Sequence, residues 1–308
     1  MKNVSERIAA LPLEKQAMLL QRLRQKTGQP ANITSGPLLP QISPDGWIVR
    51  YRQNARASLR LFCFSYAGGG ASVFRQWADL LPQDIELCAI QLPGREYRLA
   101  EPAYTQMAPL IEALAEAIEP YLDRPFAFFG HSMGSLVSFE IARQLRRTHD
   151  KQPVRLYLGA YRAPHLPNPN VKIYHLPQEV FKVILRADGI PERILQNEEL
   201  MQAMLPTLRA DFELCDTHVH KEEAPLQCPF LIFGGQEDRR ISAADLDAWR
   251  VHSIAECSLS LLPGSHFFLH SAQDLLLAAL SQDLEAQLDA LRQTQTYQYS
   301  DLSDSLVR

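Results

Sequence analysis

A serine set between glycines is the clearest indication of chemistry in this sequence. Ser132 lies at the centre of Gly130-His131-Ser132-Met133-Gly134, which follows an apolar run at 125–129 and precedes a helical pattern that begins at residue 135. This order predicts a tight, strained turn that lifts the serine hydroxyl clear of a sheet. Glycines are needed there because larger side chains would collide with the helix or with a neighbouring strand. We therefore predict that Ser132 is a nucleophile.

A serine nucleophile requires a base to take its proton and an acid to hold that base. Among nine histidines, His266 alone follows a late apolar strand within a short loop, so we predict that it is the base. His131 is expected to point away from that loop. Asp238 ends the loop 234–238 after another apolar strand and is the predicted acid, with Glu237 as its competitor.

Two backbone N–H groups are candidates for stabilising the negative charge that develops on an attacked carbonyl oxygen. Met133 follows the serine at the start of the predicted helix, where developing negative charge is favoured. Ala67 belongs to the loop 66–70, Tyr-Ala-Gly-Gly-Gly, whose glycines allow the backbone to approach a ligand closely. A phosphate cradle is the alternative interpretation of this loop, but no Gly-Lys-Ser/Thr sequence follows it.

Strand and helix patterns alternate along most of the chain and would bring these residues together. Apolar strand patterns occur at 59–65, 85–91, 125–129, 154–158, 230–233 and 257–262. With amphipathic helical patterns between most of them, they predict an α/β fold of the α/β-hydrolase type, a mostly parallel sheet flanked by helices. The alternation breaks at about 163–226, where we expect a helical lid inserted over the active-site end of the sheet.

The domain organisation follows from this alternation. We expect an N-terminal amphipathic helical segment and linker at 1–45, a hydrolase domain at 46–292 that includes the lid, and a flexible tail at 293–308. The apolar side chains of the lid should face inward and are candidates for lining a substrate channel: Met201, Met204, Leu205 and Leu208.

Composition narrows the class of protein. A net charge of −4 gives no indication of nucleic-acid binding, and no apolar run approaches the length of a membrane span. The N-terminus lacks the apolar core of a signal peptide, and the five cysteines lack metal-ligand spacing, so we expect a cytoplasmic protein. His218 and His220 could suggest a metal, but no third ligand follows at a sensible spacing, and we predict no metal site.

Characteristic short segments accompany the candidate residues. They are Phe-Ser-Tyr-Ala-Gly-Gly at 64–69, Gln-Leu-Pro-Gly-Arg-Glu at 91–96, Leu-Pro-Thr-Leu-Arg-Ala-Asp at 205–211, Gly-Gly-Gln-Glu-Asp at 234–238 and Gly-Ser-His-Phe-Phe at 264–268. Together with the segment around Ser132, they resemble the type II thioesterases associated with nonribosomal peptide and polyketide synthetases. The resemblance covers about residues 59–280.

The resemblance implies an enzyme that hydrolyses acyl or aminoacyl groups from the phosphopantetheine arm of acyl or peptidyl carrier protein domains, and so edits misprimed or stalled synthetases. It implies no cofactor of the enzyme's own, because the phosphopantetheine belongs to the carrier protein. Asp238 lies 106 positions after Ser132 (238 − 132), which favours the freestanding editing type over embedded chain-terminating thioesterases. Ser65 and Arg239 stand where the family usually has proline, and neither change removes a predicted catalytic group.

Alternatives to this interpretation remain open. The same fold serves carboxylesterases and acyltransferases, and a non-catalytic adaptor could bind synthetase modules through its N-terminal helix and lid. Arg95 and Glu96 are expected to fix a loop rather than to contact substrate. The basic residues near 143–147 are more naturally a solvated helix end than a contact for an acidic carrier protein. We expect a monomer.

Overall fold

The computed structural model describes residues 40–168, 172–187, 190 and 192–306. The strands are β1 (Gln41–Ile42), β2 (Ile48–Arg50), β3 (Leu59–Phe64), β4 (Ile85–Ile90), β5 (Phe126–His131), β6 (Arg155–Gly159), β7 (Phe230–Gly235) and β8 (Cys257–Leu262). The α-helices are α1 (Trp77–Leu80), α2 (Met107–Ile118), α3 (Met133–His149), α4 (Gln178–Ala187), α5 (Glu192–Leu195), α6 (Glu198–Thr217), α7 (Ala243–Asp247), α8 (Phe268–Ser271) and α9 (Gln273–Leu306).

The strands form a single sheet in the order β1-β2-β4-β3-β5-β6-β7-β8. From β4 to β8 every neighbouring pair is parallel, whereas β1 and β2 are antiparallel to their neighbours. The predicted α/β architecture, with a mostly parallel sheet flanked by helices, is therefore confirmed. Because parallel strands share a direction, β5, β7 and β8 end at the same edge of the sheet.

Both faces of the sheet are covered, as the continuous apolar strands require. Phe126 and Phe128 of β5 point to the face that packs against α2 and α3. Ala127 and Phe129 alternate with them and join the core on the opposite face, which includes the buried leucines of α9. The central strand β5 is buried at every residue, so it is held firmly from both sides.

The lid lies between β6 and β7 and contains α4, α5 and α6. It has a small apolar core of its own, with fully buried members including Phe181 and Met201. All three helices fall within the range of about 163–226 that was predicted for the lid. None of the helices in the described ranges combines the length and apolar character needed to cross a membrane.

The basic end of α3 fastens the segment that leaves the lid. Arg146 and Arg147 form ion pairs with Glu223, and Arg143 pairs with both Glu140 and Glu223. The Arg143 side chain is only 3 % exposed, so the expectation of a solvated helix end is wrong for this residue. Arg143 is buried because the segment that connects the lid to β7, which includes Glu223, packs against it.

Both ends of the hydrolase domain differ from the sequence-based boundaries. Gln41 pairs with Arg50, so the sheet begins inside the predicted N-terminal segment and linker at 1–45. At the other end α9 continues to Leu306, where we expected a flexible tail from residue 293. Polar composition suggested that tail, but the sequence contains no Gly or Pro from 273 to 306 that would end a helix. The predicted N-terminal amphipathic segment, apart from residues 40–45, lies outside the described residues.

Candidate active site

The turn between β5 and α3 places Ser132 in a strained conformation. Its φ is 54° and its ψ is −121°, a combination that residues with a side chain rarely adopt. A Cβ at Gly130 would lie 2.2 Å from the carbonyl oxygen of Gly134, and one at Gly134 would lie 2.1 Å from that of Phe64. Both glycines are therefore required by close backbone contacts, as the sequence predicts.

The structure brings the three predicted side chains together at the carboxyl edge of the sheet. His266 Nε2 lies 3.0 Å from Ser132 Oγ, and His266 Nδ1 lies 2.8 Å from Asp238 Oδ2. The serine follows β5, the aspartate follows β7 and the histidine follows β8. A carboxylate can only accept, so Nδ1–H donates to Asp238 and the Nε2 lone pair faces the serine hydroxyl.

Asp238 is held in its ionised form. Burial is the largest single influence and opposes ionisation. The hydrogen bond and electrostatic attraction of His266, together with the N–H donors of Arg240 (2.9 Å) and Ile241 (3.3 Å), outweigh it, so the pKa of Asp238 lies below its ordinary value. The competing candidate Glu237 has an exposed side chain and lies outside this network. The carboxylate of Asp238 is therefore the one that orients the imidazole.

His131 contacts the loop that bears His266, which corrects the expectation that it points away. Its Nε2–H donates to the backbone carbonyl oxygen of His266 at 2.8 Å, and its ring packs against Phe268. Burial lowers the pKa of His131 to about 3, so this imidazole is neutral. Sequence analysis missed this role because the contact joins residues 135 positions apart, and the only local signal is the histidine beside the serine.

The two predicted oxyanion donors line the same cavity as Ser132. Ala67 and Met133 line the same cavity as Ser132 and His266. Met133 is the first residue of α3, so its N–H has no acceptor within the helix. Ala67 lies in a turn closed by the Gly69 N–H, which donates to the Tyr66 carbonyl oxygen at 2.9 Å. Because both residues line the cavity at Ser132, their N–H groups stay candidates for donating to a carbonyl held there.

The cavity extends from Ser132 under the lid and has a volume of about 310 Å³. Its wall is mainly apolar and includes these lid residues: Ile173, Ile184, Leu185, Ile190, Leu208 and Phe212. Polar side chains of Arg162, Asn168 and Asp216 also line it. Such a mainly apolar cleft that opens at the Ser132 hydroxyl suits an acyl chain.

Only one of the four predicted channel residues lines this cavity. Leu208 does so, whereas Met201, Met204 and Leu205 pack within the core of the lid. Helical periodicity identifies an apolar face but cannot say whether that face covers a cavity or a neighbouring helix. Ile184 and Leu185 of α4, which do line the cavity, follow Phe181 of the lid core at the i+3 and i+4 spacing of one apolar face.

Arg95 and Glu96 fix loops, as predicted. Glu96 accepts hydrogen bonds from the backbone N–H and the hydroxyl of Ser72, at 3.1 and 2.5 Å. Arg95 forms a buried ion pair with Asp211 of α6. Glu96 thus holds the chain just after the glycine loop at 66–70, and Arg95 holds the lid helix α6.

The sequence of this chain is similar to those of known thioesterases and of proteins named for antibiotic biosynthesis. Residues 59–288 match a family model described as a thioesterase domain. Linear gramicidin dehydrogenase LgrE of Brevibacillus parabrevis is 45 % identical over 255 residues, which cover 82 % of this chain and 97 % of that protein. Gramicidin S biosynthesis protein GrsT of Aneurinibacillus migulanus is 43 % identical over 239 residues, covering 77 % and 93 %.

A solved structure shows the same fold. The type II thioesterase BorB from the borrelidin biosynthetic cluster is 29 % identical, with a TM-score of 0.71 over 77 % of this chain and 96 % of BorB. The family match runs from β3 into α9, so it includes Ser132, Asp238, His266 and the lid.

Proposed function

Because the chain belongs to the thioesterase family, we propose that it hydrolyses acyl and aminoacyl thioesters on the phosphopantetheine arm of carrier protein domains, and so edits nonribosomal peptide or polyketide synthetases. Similarity to proteins named for gramicidin biosynthesis and to a type II thioesterase supports this function. The observation that carries it is the hydrogen-bonded chain from Ser132 through His266 to Asp238, which opens into the apolar cavity.

Acylation would proceed through these side chains. The Ser132 oxygen attacks the thioester carbonyl carbon while His266 Nε2 takes the hydroxyl proton, and Asp238 stabilises the imidazolium. The N–H groups of Met133 and Ala67 would donate to the oxyanion of the tetrahedral intermediate. Collapse of the intermediate breaks the C–S bond, and the imidazolium gives its proton to the departing pantetheine thiol.

Deacylation reverses these roles with water as the nucleophile. His266 takes a proton from the water as its oxygen attacks the ester carbonyl of the acyl-enzyme. The C–O bond to Ser132 then breaks, the serine oxygen regains a proton from His266, and a carboxylic acid leaves. This route uses no cofactor of the enzyme's own. It transfers no hydride, so the dehydrogenase name of one relative does not carry over to this chemistry.

The partner in this proposal is an acyl or peptidyl carrier domain of a synthetase. The apolar wall of the cavity would accommodate the acyl group, and the pantetheine arm would reach Ser132 from the open side of the cavity. We further propose that the enzyme acts as a monomer in the cytoplasm.

Hydrolysis of matched substrates tests this function against the esterase alternative. Acyl-pantetheine thioesters and the corresponding oxygen esters with the same acyl group are compared by kcat/KM. We expect the thioester to be preferred, because a thiol is a better leaving group and needs less protonation by His266. Equal or faster turnover of the oxygen ester would argue for a carboxylesterase.

A further inference from the structure

A buried ion pair joins the lid to the segment that follows β4. Arg95 Nη1 lies 2.7 Å from Asp211 Oδ2, and Arg95 Nη2 lies 2.8 Å from Asp211 Oδ1. The two side chains are 5 % and 2 % exposed. Charges so far from water are tolerated only when their remaining hydrogen-bonding capacity is satisfied.

Arg95 Nε donates to the Pro93 carbonyl oxygen at 3.2 Å, and both side chains also bond to the glycine loop at 66–70. Asp211 Oδ2 accepts a hydrogen bond from the backbone N–H of Gly68 at 2.6 Å. Arg95 Nη1 donates to the carbonyl oxygen of Gly69 at 3.3 Å. The ion pair therefore holds this loop by one N–H and one C=O group.

The bond to Gly68 selects one orientation of a peptide group. Gly69 N–H donates to the Tyr66 carbonyl oxygen, Gly68 has a φ of +77°, and Ala67 is not among the described residues with positive φ. These features define a type II turn. Types I and II differ by a flip of the central peptide, here that between Ala67 and Gly68. Asp211 accepts the N–H of that peptide and so opposes the flip.

The lid helix α6 and the loop are also in direct contact. A Cβ at Gly68 would lie 2.6 Å from Leu208 Cδ2, so the leucine covers the glycine closely. Thr207, the preceding residue, donates its hydroxyl to the Gly94 carbonyl oxygen. The stretch of α6 from 207 to 211 is therefore fixed to the loops at the sheet edge.

We propose that Asp211 is a positioning residue for oxyanion stabilisation. It fixes the peptide between Ala67 and Gly68, and with it the turn that presents the Ala67 N–H to the tetrahedral intermediate on Ser132, while Arg95 fixes the carboxylate. This rests on the proposed function in taking Ala67 as an oxyanion donor. One consequence is that a movement of α6 away from the sheet would withdraw Asp211 and disorganise the oxyanion site.

The test compares D211N with a variant that removes the carboxylate partner of a buried arginine elsewhere. Asp283 pairs with Arg155 at 2.7 Å and accepts a hydrogen bond from the Tyr157 hydroxyl at 2.7 Å. Arg155 begins β6, so this pair lies away from the carboxyl edge of the sheet that bears Ser132. D283N is therefore the matched control for an unpaired buried arginine. Each variant is assayed for thermal unfolding, for kcat and KM with an acyl-pantetheine, and for the rate at which a fluorophosphonate labels Ser132.

We expect D211N to lower kcat and the labelling rate together by about 10- to 100-fold, with KM changed by less than about threefold, as for loss of a supporting group in a site. D283N should lower the melting temperature and leave both rates near those of the wild type. Labelling requires a working oxyanion site but no thioester specificity. A wild type that is labelled yet fails to hydrolyse thioesters would reject the proposed function and still leave Asp211 testable.

The proposal is overturned if folded D211N is labelled at the wild-type rate. It is also overturned if D211N and D283N lower kcat and the labelling rate by the same factor. Should D211N fail to fold, R95K provides the second test. A lysine keeps the charge but cannot hold both carboxylate oxygens and the Gly69 carbonyl oxygen at once. Slower labelling of folded R95K at unchanged KM would support the proposal, and unchanged labelling would overturn it.

Discussion

At Ser132 the fold keeps a backbone conformation that costs about 1–3 kcal/mol. Hydrogen bonds on either side hold it in place. The Ser132 N–H donates to the Gly159 carbonyl oxygen at 2.7 Å, and the Ser135 hydroxyl lies 2.8 Å from the carbonyl oxygens of both Gly130 and Gly159. The end of β6 therefore holds the turn at Ser132 in place. This explains why the hydroxyl is exposed to the cavity while its neighbours are buried.

His131 should make stability depend on pH. Its pKa in the folded protein is about 3, whereas a histidine in an unfolded chain titrates near 6.5. As the pH falls below about 6.5, the unfolded chain takes up the proton first, so the free energy of unfolding decreases by up to about 1.4 kcal/mol per pH unit. This decrease continues until the pH approaches the folded pKa.

His131→Gln tests this linkage, because glutamine offers an N–H donor for the His266 carbonyl oxygen and does not titrate. Urea unfolding at a series of pH values between 6 and 4 gives the slope for each protein. We expect a shallower loss of stability with falling pH in the variant, even if its stability at neutral pH is lower. Parallel slopes would show that His131 is not the group that resists protonation.

At the scale of elements, we expect the lid to determine which acyl groups fit. Ile184 of α4 lines the cavity, whereas its neighbour Val183 is 58 % exposed. Ile184→Trp should fill part of the cavity and lower kcat/KM for long acyl chains by at least about tenfold relative to acetyl, since a pocket discriminates by size. Val183→Trp, on the outer side of the same helix, is the control and should leave the chain-length profile unchanged. Equal chain-length profiles for the two variants would show that the acyl group does not bind beside Ile184.

The elements also show how far sequence analysis can reach. Strands β3 to β8 are predictable because apolar runs bounded by turn residues form few structures other than buried strands. The three candidate site residues follow from the Gly-x-Ser-x-Gly segment at 130–134 and from the aspartate and histidine in loops after later strands. Strands β1 and β2 were missed because they have two and three residues. The contacts of His131, and the pairing of Arg95 with Asp211, depend on tertiary structure and have no periodic signal.

At the scale of the whole molecule, the sheet begins at residue 41 rather than at the predicted boundary of 46. Removal of residues 1–39 should therefore leave the melting temperature and the turnover of a small soluble thioester nearly unchanged. Removal of residues 1–50 also deletes Trp47, Ile48 and Val49, which are at most 8 % exposed. Loss of these side chains should cost several kcal/mol, at about 1.5–3 kcal/mol for each large apolar group.

Thermal unfolding and turnover of the two truncated proteins check this boundary. The full chain is the reference for both. If removal of residues 1–39 already unfolds the protein, the segment before residue 40 packs as part of the core. A longer deletion that keeps full stability would mean that the antiparallel edge of the sheet is dispensable.

The central claim is that Ser132 carries the acyl group between its release from a thiol and its hydrolysis. It is tested most directly by mixing the enzyme with an acyl-phosphopantetheinyl carrier protein, quenching with acid within the first turnover, and measuring the mass of the peptide that contains Ser132. The account predicts an increase by the mass of the acyl group on Ser132, and neither adduct nor acid release with Ser132→Ala. Undiminished hydrolysis by Ser132→Ala, or an adduct on another residue, would contradict it.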